Sequence, residues 1–232
     1  MKKHIPNALT SANLFCGCLG ILSAVKGDLS LAAWLTVAAA VFDFFDGFDA
    51  RALKVKSDIG KELDSLADCV TFGVLPAFVL FKMLEPLQMP FAYAEYTAFH
   101  LAVFSALRLA KFNIDTRQSE GFIGVPTPAN ALLWVSLPFW SSQNNFLSNL
   151  VSEPIFLLTL SVVMSFLMNA ELPLLALKFK NFRLRENIWR FALVGISVGI
   201  VSLGGFAGVS FAIVAYILLS VLSNQFSKNT IQ

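Results

Sequence analysis

Six aspartates fall within 26 residues, Asp43, Asp46, Asp49, Asp58, Asp64 and Asp68, in the stretch FDFFDGFDARALKVKSDIGKELDSLAD, and all but Asp58 sit in or beside apolar helical sequence. A carboxylate at the centre of a membrane helix costs roughly 2.5–3.5 kcal/mol on insertion scales, so such residues need partners. With a helical period of 3.6, Asp43, Asp46, Gly47, Ala50 and Arg51 share one stripe, and Asp49 lies off its edge. Gly60, Asp64, Asp68 and Thr71 share a second stripe, while Asp58 and Glu62 face away. The basic turn at 52–59 predicts that the two helices are antiparallel neighbours. Asp46 then lies level with Asp64 and Asp43 with Asp68, the deepest acids about 12 Å below the helix ends. Four converging carboxylates repel one another unless protons, cations or metal ions intervene. Oxygen-only donors suit Mg²⁺, Mn²⁺ or Ca²⁺, and two such ions can clamp both sides of a displacement at phosphorus. Gly47, Ala50 and Gly60 remove bulk where a diphosphate or nucleotide could approach the backbone, although small residues also serve helix packing in membranes.

The elements that must carry these stripes are transmembrane helices. The 232 residues are 56% hydrophobic and 14% charged, with a mean hydropathy of +0.70; that balance excludes an ordinary soluble domain. A span needs about 20 apolar residues, and eight windows qualify: 8–25, 30–50, 60–82, 91–112, 127–143, 152–171, 188–204 and 206–223. Fifteen of the 17 Lys and Arg fall on one side of that layout, leaving Lys26 and Lys82 for the other. The positive-inside rule therefore predicts an all-α polytopic membrane protein with both termini cytoplasmic. Residues 1–232 read as one domain, without an internal repeat or long linker. The opening Met1–His4 and its apolar run read as a first span instead of a secretory signal, because another hydrophobic segment follows. Cys16, Cys18 and Cys69 fit neither a disulfide framework nor a zinc site and read as packing residues. MLEPLQMPFAYAEY, WSSQNN and KFKNFRLREN read as loops. Nothing points to nucleic acid.

The spacing Asp43-x2-Asp46-Gly47-x2-Ala50-Arg51-x8-Gly60-x3-Asp64-x3-Asp68 resembles the signature of the CDP-alcohol phosphotransferase family at every position. The resemblance implies an integral membrane enzyme, usually a homodimer, that moves a substituted phosphoryl group from a CDP-linked donor to an alcohol and releases CMP. It implies that Asp43, Asp46, Asp64 and Asp68 hold two divalent ions, Mg²⁺ or Mn²⁺. Gly47, Ala50, Arg51 and Gly60 would line the CDP site, and Asp68 would also be the general base for the acceptor hydroxyl. IPNALTSANLFCG, VTFGVLPA, ALRLAKFN and FIGVPTPANA look like the phosphatidylserine synthase branch, with Asn130 where a small residue is expected. That likeness covers about the first 130 residues. It implies CDP-diacylglycerol as donor, L-serine as acceptor, a membrane lipid as product, and a site on the cytoplasmic side of the cell (inner) membrane.

Other polar residues carry two readings each. Arg108 and Lys111 sit where positive-inside anchoring would put them; Arg108, with its planar fork, is also a candidate for the serine carboxylate or a phosphate oxygen. Asn13 either contacts the nucleotide or hydrogen-bonds a neighbouring helix. His100 reads as a neutral histidine between helices, with a proton carrier as the alternative. Pro126 and Pro128 shape the start of the fifth span, His4 is interfacial, and Glu153 and Glu171 read as solvated loop charges. Within the family, glycerol 3-phosphate or inositol phosphate is the alternative acceptor and would need an extra cationic pocket. A cation transporter, the alternative from another class, would place acids near the midplane in broken helices or inverted repeats. All four acids here lie close to a basic rim.

Overall fold

A computed structural model of the chain describes residues 5–52, 58–115, 122–175, 183 and 187–229; no side chain is described at Ile5, Phe122, 47–52, Asp58 or 227–229. Among these residues the fold is helical, apart from one pair of two-residue strands. The first two helices, α1 (Ile5–Val25) and α2 (Leu29–Ala52), form a hairpin. Its turn uses Gly27 with a positive φ, and the Asp28 carboxylate accepts the Leu31 N–H at 2.9 Å as an N-cap. Ala24, Ala32, Ala33 and Ala39 are fully buried, so the two backbones approach closely through small residues, as membrane helices do.

Next comes one continuous rod: α3 (Asp58–Asp68), a π-helical segment (Cys69–Val74) and α4 (Leu75–Leu84). The wide turn is closed by the Leu75 N–H donating to the Val70 carbonyl. Pro76 lies just beyond it; it has no N–H, and its ring crowds the carbonyl four residues back. The widened register absorbs that conflict, and such π segments recur at functional sites. A 3₁₀ turn (Ala94–Phe99) leads into α5 (His100–Ile114). Strand β1 (Phe122–Ile123) precedes α6 (Thr127–Ser136), a 3₁₀ turn (Leu137–Ser142), α7 (Asn145–Val151) and α8 (Pro154–Asn169). Strand β2 (Pro173–Leu174) pairs antiparallel with β1. Helices α9 (Ile188–Gly204) and α10 (Gly208–Asn229) pack on each other across Gly205.

Each of the eight sequence windows contains a helix, but their lengths differ. Four stretches are long and apolar enough to cross a membrane: Pro6–Val25, Leu29–Asp46, Ile59–Leu84 and Ile188–Phe226. A fifth is added if Asn145–Val151 and Pro154–Asn169, bent by 73°, form one span. Helix α7 falls where a loop was expected; its signal was Asn144, whose side chain caps the Leu147 N–H at 2.9 Å. The strand pair, four residues in all, was too short to read from sequence. Helix α1 lies along α2 and also packs on α3, the π segment and α4, and among the described residues α2 meets α3 where their acids converge.

Trp134, Leu80, Leu84, Leu101, Leu133 and Leu157 form the main core, with Trp134 fully buried. Phe15, Leu22, Trp34, Phe166 and Leu203 are exposed on the outside. An apolar exterior of that kind faces lipid, which makes this a membrane protein. The strand pair is held by Gly124, whose N–H donates to the Leu172 carbonyl at 2.8 Å. Its φ is +75°, and an added Cβ would lie 2.3 Å from the Met168 carbonyl oxygen. Gly124→Ala should therefore destabilise by about 1–3 kcal/mol or more and lower the melting temperature in detergent. Gly195→Ala in α9, where an added Cβ meets nothing within 4 Å, should not lower it.

Candidate active site

Helix α2 brings Asp43 and Asp46 to the end of the rod formed by α3 and the π segment. The carboxylate oxygens of Asp43, Asp64 and Asp68 all lie within 4.8 Å of one another. Asp46, 5% exposed, lies beside them and interacts electrostatically with all three. Asp43 of α2 thus meets Asp64 and Asp68 of α3, as the antiparallel register read from the sequence requires.

Against these acids lies one face of α1. Thr10, Asn13 and Gly17 lie three and four residues apart and so share that face. The Thr10 hydroxyl donates to Asp46 Oδ2 at 2.7 Å, and the Asn13 amide donates to Asp68 Oδ1 at 3.0 Å. Thr71, in the π segment, donates its hydroxyl to the Asn13 backbone carbonyl at 3.2 Å. Gly17 is what permits this: an added Cβ there would lie 2.2 Å from Thr71 Oγ1. Neutral donors thus orient two of the carboxylates. No Lys or Arg of the described residues forms an ion pair with Asp43, Asp64 or Asp68, and Asp64 Oδ1 is buried without a hydrogen-bond partner. Three clustered oxygen ligands, one of them orphaned, fit a hard divalent cation such as Mg²⁺ or Mn²⁺.

On the far side, α5 is tied to α3. Lys61 Nζ donates to the Asn113 carbonyl at 3.0 Å, and the Asn113 amide donates to Ser65 Oγ at 2.8 Å. Arg108, 5% exposed, donates Nε–H to the Val125 carbonyl at 2.8 Å and interacts electrostatically with Asp68. Among the described residues it makes no ion pair with the acids.

Of the remaining sequence candidates, Gly60 lies in the first turn of α3. Gly47, Ala50 and Arg51 are on the last turns of α2, where their side chains, like that of Asp49, are outside the described residues. His4 is also outside. His100 contacts the Thr97 carbonyl through Nδ1 and Phe104 edge-on, away from the acids. Asn130 accepts the Trp134 indole N–H at 3.2 Å, a packing role that accounts for an amide at this buried position. The three cysteines are free. Thr10 and Thr71 were not singled out as supports, although the Thr10–Asn13–Gly17 stripe was legible as a polar, small face.

The fold and site define a membrane protein whose helices meet around a buried carboxylate cluster suited to a divalent ion. The chain belongs to the CDP-alcohol phosphatidyltransferase family, whose model matches residues 3–179. A Helicobacter pylori protein named CDP-diacylglycerol–serine O-phosphatidyltransferase is 31% identical over 220 residues, 94% of this chain and 89% of that one. Proteins of the same name from Methanocaldococcus jannaschii and Bacillus subtilis are 34% identical over 203 residues and 38% identical over 136 residues. The alignments cover 88% of this chain and 86% of the archaeal protein, and 59% of this chain and 76% of the Bacillus one. Similarity therefore reaches well past residue 130, where the motifs read from sequence end.

If Asn13 orients a metal-binding carboxylate, Asn13→Ala should weaken Mn²⁺ binding about 10–100-fold, the usual cost of losing such a support. Calorimetric titration of Mn²⁺ into the detergent-solubilised protein measures this. Ser11→Ala, which removes an exposed hydroxyl bonded to the Asn7 carbonyl, should leave the titration unchanged.

Proposed function

We propose that the protein transfers the phosphatidyl group of CDP-diacylglycerol to the hydroxyl of L-serine, giving phosphatidylserine and CMP. The observation that carries this reading is the Asp43, Asp64 and Asp68 cluster in a chain of this family, with serine taken from the names of its relatives. Asp43, Asp46, Asp64 and Asp68 would hold two divalent ions, Mg²⁺ or Mn²⁺, which would supply positive charge against the diphosphate and the CMP leaving group. Gly47, Ala50, Arg51 and Gly60 line the CDP site. Asp68 accepts the proton of the serine hydroxyl, and its hydrogen bond from Asn13 fixes the carboxylate for that role. The serine oxygen forms its bond to the β-phosphorus, and the bond from that phosphorus to the CMP oxygen breaks. Arg108 is the candidate for the serine carboxylate or a phosphate oxygen.

The chain acts as one domain over residues 1–232, crosses the cell (inner) membrane eight times, and works as a homodimer. Cytoplasmic ends and a cytoplasmic active site are supported by the asymmetry of its Lys and Arg. Acyl tails lie sideways in the bilayer, and serine reaches the site from the cytosol.

Purified protein in detergent, given CDP-diacylglycerol and Mn²⁺ or Mg²⁺, should release CMP with L-serine and not with glycerol 3-phosphate or inositol phosphate. Asp68→Asn should lower that rate by about 10²–10⁴-fold, and chelation should abolish it. Release only with another acceptor would overturn the serine assignment, and metal-independent release would overturn the metal assignment.

A further inference from the structure

Strand β2 has two edges, and different parts of the chain take them. Backbone groups alternate sides along a strand, so those of Leu172 and Leu174 face one way and those of Pro173 and Leu175 the other. The first edge belongs to β1: Phe122 pairs with Leu174 and Ile123 with Pro173, and the Gly124 N–H donates to the Leu172 carbonyl at 2.8 Å. Among the described residues no third strand meets the second edge. Helix α10 closes it with side chains instead. Asn224 gives its amide N–H to the Pro173 carbonyl at 2.6 Å, Ser220 Oγ accepts the Leu175 N–H at 3.1 Å, and the Tyr216 hydroxyl donates to the Leu175 carbonyl at 3.1 Å. Pro173 has no N–H, so these three bonds satisfy every backbone group on that edge from Pro173 to Leu175.

Tyr216, Ser220 and Asn224 recur every four residues and so form one stripe of α10, about 12 Å long. One such residue would be an ordinary contact between segments; three in register make a clasp. What the clasp holds leads to Arg108. Strand β1, tied to β2, runs directly into Gly124 and Val125, and the Val125 carbonyl accepts the Arg108 Nε–H at 2.8 Å. Tyr216 and Arg108 are also close enough to interact electrostatically. All three clasp residues lie beyond residue 179, where the match to the family model ends.

We infer that Tyr216, Ser220 and Asn224 are positioning residues: by clasping β2 they fix the Val125 carbonyl and, through it, the Arg108 side chain. The inference rests on the role proposed above for Arg108, holding the serine carboxylate or a phosphate oxygen. A guanidinium recognises such groups directionally, so a displaced anchor weakens recognition as well as packing.

Two measurements on the whole chain in detergent test this, using Tyr216→Phe, which removes only a hydroxyl, and Asn224→Leu, which removes the donor at similar volume. Hydrogen–deuterium exchange of the Gly124 amide, read by mass spectrometry, should quicken about fivefold in each, the worth of one net hydrogen bond. In CMP release, kcat/KM for L-serine should also fall about fivefold in each. The same substitutions made on top of Arg108→Lys, which keeps the charge but lacks the Nε–H bond to Val125, should cost less than about twofold, because the link they act through is already cut. Leu218→Ala, on the exposed side of α10, should change neither readout. Unchanged exchange at Gly124 would overturn the clasp. Equal losses with and without Arg108→Lys, or Arg108→Lys at the wild-type rate, would overturn positioning and leave a contact that serves packing alone. Wild-type protein that ignores L-serine would instead overturn the reaction, with exchange at Gly124 still reporting on the clasp.

Discussion

Holding carboxylates together away from bulk water is the constraint on which this structure turns. Asp43, Asp64 and Asp68 converge within 4.8 Å, with Asp46 alongside, and both mutual repulsion and lost hydration oppose that arrangement. A basic side chain in their midst would relieve the repulsion and cancel the charge needed to bind a cation. The fold instead supplies neutral donors, Thr10 to Asp46 and Asn13 to Asp68. These orient the oxygens, as the outer shell of a metal site does.

That solution dictates the local architecture. Helix α1 must come close enough for a threonine and an asparagine to reach two different acids, which requires Gly17 against Thr71. The π segment directly after Asp68 changes the helical phase between the acids of α3 and the apolar residues of α4. A regular helix would carry the α3 stripe onward, whereas the wide turn lets one rod present carboxylates at one end and Leu75, Val79 and Leu80 to the core at the other. Gly124 and the short strand pair do comparable work opposite, fixing the Val125 carbonyl that anchors Arg108.

Much of this was legible in the sequence, and unevenly so. The acids announced themselves, because charges in apolar helices are rare enough that their spacing alone singles them out. Helix positions followed from hydropathy, except where segments were short: α7 and the 3₁₀ turns carry too few residues for periodicity to resolve. Asn13 was noticed and its partner was not, since nothing local to residue 13 specifies a carboxylate 55 positions away. Asn169 gave no signal at all: a polar residue near a helix end is ordinary, and nothing local specifies its bond to the Phe104 carbonyl 65 positions away.

The sequence by itself determined the chemistry on offer: an all-helical membrane chain, oxygen ligands at helical spacing, a family signature and a one-sided distribution of positive charge. These are properties of composition and period, which local physics reads directly. Only the tertiary structure decided which helix packs against the acids and which donors hold them. Those are contacts between segments distant along the chain, chosen by how closely small residues let particular faces approach, and no one-dimensional pattern carries that information.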